Sequence, residues 1–581
     1  MLALLAMTCA LPDPAAHNAA DAGRESDVPV SRAELNSHSA AAATAQADGT
    51  QTIVDISSFG ADSTGVTDSA PAIRAAIASI GTTTPTTLYF PKGTYLFASA
   101  DPAGGTEECV RITSSISLAG DGPGMTIFAS NPAPACGALI GYFFGDSGSA
   151  NSANKDYSYE TDTGYAVAAS TAAIGSSSLT LVTAPNASLY SVGQFVYLRG
   201  SRIAQPGEYH GELNQIAASG NGSTGMVGLA WPLSSDFRGD SELQLNLVAS
   251  TEVVNNVQIS GISFNTYSQA VLGAQVLGLQ IFNNAFNSLS STTTATFQFN
   301  QDRQVDFYDN TVNNPTGGPA LDPARNPTDW NIHDNVFNGN VGAGEAGANI
   351  TFSGNTISCV NVQACVAFGA TTGNTVNGNS ITVYDSGVAG APVAVYDANG
   401  APSPDTVISN NLVVANGVPA IRSGTPGTVI SGNTIFTTGT GLDLQVGNIK
   451  AYSNSVTLTT NGFYGCVLVE GLDHSDTVKG LQCTASSGVT GSAAVWVSDD
   501  GFQTTAPLVL DDIAGTNLTR GIYVSDPAHD CPVIGFIWFN NVTTPGPGTT
   551  LPISLPTPLV EDQQRRPPRL YLSQDPGKNP N

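Results

Sequence analysis

The chain has 581 residues and a formal net charge of −27, from 19 Lys and Arg against 46 Asp and Glu. Phosphate backbones and anionic lipid surfaces are bound through clustered basic residues, so that balance excludes nucleic acid and disfavours adsorption to membranes. Charged residues make up only 11% of the chain while Gly numbers 62, a composition poor for helices and suited to many short strands joined by turns.

The chain opens MLALLAMTCALP. The apolar stretch is short and lacks a positive flank, so it reads as a weak export signal. Cys9 follows Leu5-Ala6-Met7-Thr8, which resembles a lipobox with Thr8 where Gly or Ala is usual. A secreted or extracytoplasmic location is expected, with Cys9 as a candidate lipid anchor. Residues 1–50 form this segment and an Ala-rich polar leader without apolar periodicity. No run of 18 apolar residues exists, so no transmembrane helix is expected. The eight cysteines are Cys9, Cys109, Cys136, Cys359, Cys365, Cys466, Cys483 and Cys531, with no CxxC zinc spacing. The pairs 109/136, 359/365 and 466/483 are disulfide candidates; buried free thiols fit the sequence equally well.

Ordered sequence starts near Thr52. Val54-Asp55-Ile56 to Gly60 reads as a strand and turn. Asp68 or Ser69 can cap a helix with Pro71 in its first turn and Ile73, Ile77 and Ile80 on one face. Leu88 to Tyr95 then reads as the first rung of a strand stack whose open end the helix covers. The strings FGADSTGVTDSAPAIRAAIASI and LYFPKGTYLF resemble the opening of the pectate-lyase-like superfamily. That resemblance covers about the first tenth of the chain. It implies an all-β fold, a right-handed parallel β-helix, with residues 51–154 as cap and first coils. Lyases, hydrolases, epimerase-like proteins and phage tailspikes share the motif, so it implies no single activity. Asp62 and Asp68 match its acidic positions and read as turn and cap residues.

Residues 155–250 lose this pattern. Strands are expected at Ser178 to Val182, Val192 to Leu198 and Met226 to Leu229, in a small all-β insertion with Glu208, Tyr209 and His210 in a loop. From Val257 an apolar-x-x-Asn-x-apolar unit recurs. Its Asn residues are Asn284, Asn310, Asn335, Asn355, Asn379, Asn411, Asn433 and Asn454, spaced by 26, 25, 20, 24, 32, 22 and 21. Strand-like units at such a period mark a solenoid over residues 251–542. A recurrent Asn at one turn can ladder its amides from rung to rung, which makes these residues structural. His333 and Asp334, beside Asn335, share that reading. The repeat loosens after Asn454, with Cys483, Asp511 and Asn540 as weaker equivalents. Residues 543–581 are Pro-rich and read as a tail.

A second strand precedes each ladder Asn. Arg422 precedes Asn433 by 11 residues and Asp443 precedes Asn454 by 11. The two are therefore expected side by side on adjacent rungs, about 4.8 Å apart, pointing outward because their neighbours are apolar. The following turns are acidic. Asp397, Glu470, Asp473 and His474 join Arg422 and Asp443 as candidate catalytic residues. Tyr396, Trp496, Tyr523 and Arg303 are candidate sugar contacts. Asp499, Asp500, Asp526, His529 and Asp530 extend the acidic edge. Solvated turns are the plainer account of any one of them.

Paired carboxylates suit glycoside hydrolysis, one protonating the leaving oxygen and one activating water or attacking carbon. A lyase needs a base, often Arg or His in the superfamily that the motif resembles, and neutralisation of a uronate carboxyl. No cofactor is required for hydrolysis; in a lyase such Asp residues would hold Ca²⁺. Of the polygalacturonase motifs only Ser498-Asp499-Asp500-Gly501 has a counterpart, without the Gly-His-Gly or Arg-x-Lys that should follow. Asp526-Pro527-Ala528-His529-Asp530 resembles an epimerase string with one residue extra. The expected function is action on a polysaccharide, hydrolysis ahead of lysis or epimerisation. The alternative is a glycan-binding or tailspike-like rod without activity. A monomer is favoured.

Overall fold

The computed structural model describes residues 52–540 except 81–84, 103–107, 143–165, 171, 203–208, 239, 241–242, 249–252, 290–295, 315–319, 361–363, 385–392, 399–402, 418, 462–464, 471–474, 499–507, 525–532 and 535–536. The leader, the tail, Cys9, Glu208, Asp473, His474, Asp499, Asp500 and the Asp526 to Asp530 string lie outside the described residues.

Strands of the coil do not pair with their sequence neighbours. Each pairs in parallel with a strand one coil later, as Phe307 with Ile332 and Ile332 with Phe352. Two fifteen-stranded sheets form two faces of the solenoid. The third face carries a five-stranded sheet and then an eight-stranded one, which runs from Val341–Glu345 to Arg520–Val524. This is a parallel β-helix.

Side chains alternate across each strand. In Arg303–Tyr308 and Thr328–His333 every second residue is buried. Val305, Phe307, Trp330 and Ile332 fill the interior. Stacked rings run up the core: Phe264 on Phe286 at 4.9 Å, Phe286 on Phe307 at 6.0 Å, Phe307 on Phe337 at 6.0 Å. Each such side chain contributes about 1.5–3 kcal/mol by leaving water.

One turn fixes the register of the coils. Asn283, Asp309, Asp334, Gly354, Gly378, Asn410, Gly432 and Ser453 all have positive φ, between 52° and 68°. Gly, Asn and Asp tolerate that left-handed backbone best, which explains the residue types found there. The next residue in each case is a ladder Asn. Every Oδ1 from Asn310 to Asn454 accepts the backbone N–H and the Nδ2 of the Asn one coil earlier, at 2.9–3.2 Å. Each Nδ2 also donates to a carbonyl of the preceding coil, such as Asn379 to Phe352 O at 3.0 Å. Beyond Asn454 the column continues as Leu481 and Ile513, each after a residue of positive φ. These apolar residues, not Cys483 and Asp511, are the equivalents. A buried Leu or Ile needs no partner there.

The cap is the helix Ala70–Ser79, with Ala70, Ile73 and Ala76 buried. Asp68 Oδ1 accepts from Ala70 N at 3.1 Å and Ala98 N at 2.9 Å. It therefore ties the helix start to the next coil, while Ser69 makes no side-chain cap bond. Asp62 accepts from Thr64 and Thr67 in a turn. Three disulfides are present: Cys109–Cys136, Cys359–Cys365 and Cys466–Cys483.

Between the strands Ala138–Tyr142 and Val254–Ser260 lies a six-stranded antiparallel sheet built from residues 166–248. It has its own core of Leu179, Leu181, Val196, Leu198, Ile216 and Leu245. Tyr209 and His210 begin its longest strand, Tyr209–Asn221, instead of lying in a loop. This strand's Gly- and Asn-containing sequence has low β propensity; pairing with a neighbour on each side holds it extended.

Arg303 is not an exposed sugar contact. It is 1% exposed and plugs the joint between this sheet and the coils. Its Nη1 donates to Glu212 Oε1 at 2.8 Å and its Nη2 lies 2.7 Å from Asp329 Oδ2. Leu213 O and Pro232 O accept further bonds at 3.1 and 3.0 Å. Glu212 is itself fully buried. A buried guanidinium persists when carboxylates and carbonyls surround it in this way.

Candidate functional site

The eight-stranded sheet places one residue per rung on its outer face. Register pairs Ala367 with Tyr396, Tyr396 with Arg422, and Arg422 with Asp443. The column continues through Leu468 and Trp496 to Tyr523. Sequence separations of 21 to 29 residues thus become single rung steps. Ile421, Leu442, Val467 and Val495, the preceding residues, face the core. That alternation turns Arg422 and Asp443 outward.

Arg422 Nε donates to Asp443 Oδ2 at 2.7 Å. The two side chains are 25% and 2% exposed. Asp443 points outward yet is covered by its neighbours. Its Oδ1 is buried and has no hydrogen-bond partner among the described residues. Two residues along each strand runs a second outer column, in which Gln445 N bonds Ser423 O and Glu470 N bonds Leu444 O. Gln445 Nε2 reaches Asp443 Oδ2 at 3.5 Å and Glu470 Oε1 at 3.2 Å. Gln445 thus spans the two carboxyl groups, and the charge of Glu470 acts on Asp443.

Burial raises the Asp443 carboxyl, the Glu470 charge raises it further, and Arg422 opposes both; the outcome is about 7. Asp443 is therefore a carboxylic acid that holds its proton up to neutrality. A Cβ added at Gly424 would lie 2.9 Å from Ala398 Cβ, 3.7 Å from Gln445 Oε1 and 3.9 Å from Tyr396 Cε2. Glycine there lets the chain pass close to Ala398, between Tyr396 and Gln445. Arg422 Cζ lies 6.0 Å from the centre of the Tyr396 ring. Two and three rungs from Asp443, the Trp496 and Tyr523 rings meet edge to face at 5.2 Å.

Asp397 does not belong to this surface. It follows outward Tyr396, so it turns inward, and it is 0% exposed. Its Oδ2 accepts from Ser423 Oγ at 2.7 Å and Thr428 Oγ1 at 2.6 Å, and its Oδ1 from Gly424 N at 2.8 Å. Burial raises its pKa against those three donors. It clamps the turn of the next coil and cannot touch a substrate. Asp302 is likewise buried, with its pKa raised well above the usual range by desolvation. His333 bonds Asp306 and Asp334 at 3.1 and 2.8 Å, which raises it to about 9, and it stacks on Tyr308. These contacts hold the surface of another face.

The structure thus groups Arg422, Asp443, Glu470 and Tyr396, with Trp496 and Tyr523 along the same column. Sequence reasoning missed Gln445 and Arg520. Gln445 repeats the outward offset of Glu470, which register alone could have shown. Among the described residues no cluster of three or more His, Cys, Asp or Glu side chains is placed to hold a metal ion. No helix among them is long and apolar enough to cross a membrane.

Residues 53–156 match the family described as Rhamnogalacturonase A/epimerase, pectate lyase-like. The match covers the cap and the first coils, and the coils that follow continue the same parallel β-helix. Similar solved structures include two phage tailspikes. One is gp61 of Pseudomonas phage phi297, at 13% identity over 86% of this chain and 82% of that one, TM-score 0.45. The other is gp49 of Pseudomonas phage LKA1, at 14% over 84% and 81%, TM-score 0.45. The Azotobacter vinelandii mannuronan C-5 epimerase AlgE6 A-module is similar at 12% over 85% and 99%, TM-score 0.35. No curated protein sequence matches the chain.

Proposed function

We propose that the chain acts on a polysaccharide and that Asp443 is its proton donor. The observation that carries this is the Asp443 carboxyl: nearly covered, outward, protonated to about 7, with an unpartnered oxygen. A general acid needs a pKa near the working pH. The family match to a rhamnogalacturonase and epimerase description supports a glycan substrate.

Hydrolysis is favoured over elimination or epimerisation. Arg422 already pairs with Asp443 at 2.7 Å; it tunes that acid and stays charged, so it is a poor base. Glu470 is an acidic neighbour of Asp443, joined to it through Gln445. Acid and nucleophile in retaining glycosidases stand about 5–5.5 Å apart, and acid and base in inverting ones about 6.5–9.5 Å. In this reading Asp443 is the acid and Glu470 the neighbour that raises its pKa. Asp473 and His474, three and four residues after Glu470 in the sequence, are the candidates for activating water. The three disulfides fit an exported protein.

A panel of polysaccharides assayed for new reducing ends, with absorbance of unsaturated uronates read in parallel, tests the proposal. Hydrolysis gives the first signal without the second. Asp443→Asn should lower turnover at least about 100-fold with the fold retained. A variant as fast as the parent protein refutes the role of Asp443. Signal in the uronate channel refutes hydrolysis.

A further inference from the structure

In this acidic chain nearly every described arginine is spoken for. Arg74 bonds Ser99 O and Cys109 O. Arg238 pairs with Asp236, Arg303 with Glu212 and Asp329, Arg422 with Asp443. Arg520 differs. Its guanidinium has no ion pair or hydrogen bond among the described residues, and its Nε is buried without a partner. It lies over the Tyr523 ring, Cζ 4.3 Å from the ring centre. Tyr523 in turn meets Trp496 at 5.2 Å.

Stacking on an aromatic face fixes a guanidinium while leaving its N–H fork free, and that fork matches carboxylate, sulfate and phosphate geometry. The same ring cluster offers an apolar surface to a sugar face. A partly buried cation without a partner among the described residues is costly to keep unless an anion completes it. Tyr523 stands three rungs from Asp443 on the same column, roughly 14 Å away. One ligand reaching both places is an oligosaccharide.

We propose that Arg520, Tyr523 and Trp496 form a distal subsite that binds a sugar residue bearing an anionic substituent. Arg520 takes the anion through its free N–H groups, and the aromatic pair takes the ring of the sugar. The placement of the subsite relative to the reacting bond rests on the assignment of Asp443; its anion recognition does not.

Binding is measured on the Asp443→Asn protein, so that turnover does not intrude, against a glycan panel of matched neutral, carboxylated, sulfated and phosphorylated oligosaccharides. Anionic members should bind, more weakly as salt rises, and Trp496 fluorescence should report it. Arg520→Ala should weaken the anionic ligands at least about tenfold, one charge-assisted contact, and leave neutral ones unchanged. Arg520→Lys should restore part of the affinity if charge alone matters and less if the fork matters. Equal melting temperatures of the variants exclude misfolding as the cause. The proposal is overturned if no anionic glycan binds, if neutral glycans bind equally well, or if Arg520→Ala binds the anionic ligand like the parent. Normal turnover by Asp443→Asn would sink the catalytic assignment and leave the Arg520 result standing. Which anionic class binds best identifies the substituent.

Discussion

Replacing Asp443 with Asn should stabilise the protein at alkaline pH while removing its acid. The carboxyl titrates at about 7 in the folded chain, against about 3.9 in an unfolded one. Below about pH 4 both states hold the proton and the group has no effect on stability. Between pH 4 and 7 the unfolded state loses its proton while the folded state keeps it, so stability falls as pH rises. Above 7 the loss is complete. Three units at 1.36 kcal/mol each set a ceiling on the order of 4 kcal/mol. Asn carries no charge and titrates nowhere in this range, so the variant escapes the slope. Weaker acceptance from Arg422 offsets part of the gain, since bonds to charged groups exceed neutral ones by about 1 kcal/mol. A net gain of about 3 kcal/mol at pH 8 and none at pH 4 is expected. Urea unfolding of both proteins at pH 4, 5.5, 7 and 8.5 measures the difference, with hydrogen exchange of the strand Leu442–Leu444 as a local check. A variant less stable than the parent by a constant amount at every pH would show that Asp443 is an ordinary salt-bridge carboxylate.

Three other perturbations have defined outcomes. Asn379→Leu removes four ladder bonds, to Phe352 O and Asn411 Oδ1 and from Asn355 N and Nδ2, and should cost about 2–5 kcal/mol in denaturant unfolding at roughly 1 kcal/mol per bond; a cost within about 1 kcal/mol would mean the ladder adds little. Arg303→Met strips the buried Glu212 of its cation and should cost about 3–5 kcal/mol, with faster proteolysis of residues 166–248; the double variant Arg303→Met, Glu212→Gln should recover much of this, and no recovery would show that Arg303 acts through packing alone. Gly424→Val should lower the melting temperature, because its Cβ would lie 2.9 Å from Ala398 Cβ in the turn that Asp397 clamps; an unchanged melting temperature would show that the turn yields without cost.

Some of this was legible from the residues alone. The ladder could be read because its cause is local: one turn demands a left-handed residue, then an amide that bonds up and down. Arg422 and Asp443 could be aligned because both sit at the same offset from a ladder Asn. Asp397 was misplaced because acidity suggested a solvent-facing turn, whereas the period of two along Val393–Tyr396 carries the next residue into the core. Arg303 was misplaced because its partner Glu212 comes 91 residues earlier, on a sheet whose docking no local pattern announces. Cys483 and Asp511 were taken for ladder equivalents because polarity was sought where Leu481 and Ile513 stand. Arg520 is visible only once Tyr523 is beneath it.

The ladder also makes coils interchangeable parts. Each ladder Asn presents the same acceptor upward and the same donors downward, whatever lies in the rest of its coil. Coil lengths vary from 20 to 32 residues between successive Asn positions, and the difference is absorbed in the turns. A coil could therefore be excised from one Asn to the next, and Asn411 would meet Asn454 as it now meets Asn433. The outer columns would then be re-dealt: removing the coil that carries Arg422 would seat Tyr396 against Asp443. Genetic recombination between repeats could shuffle surface chemistry along such an axis one rung at a time, with the interior unaware of the exchange.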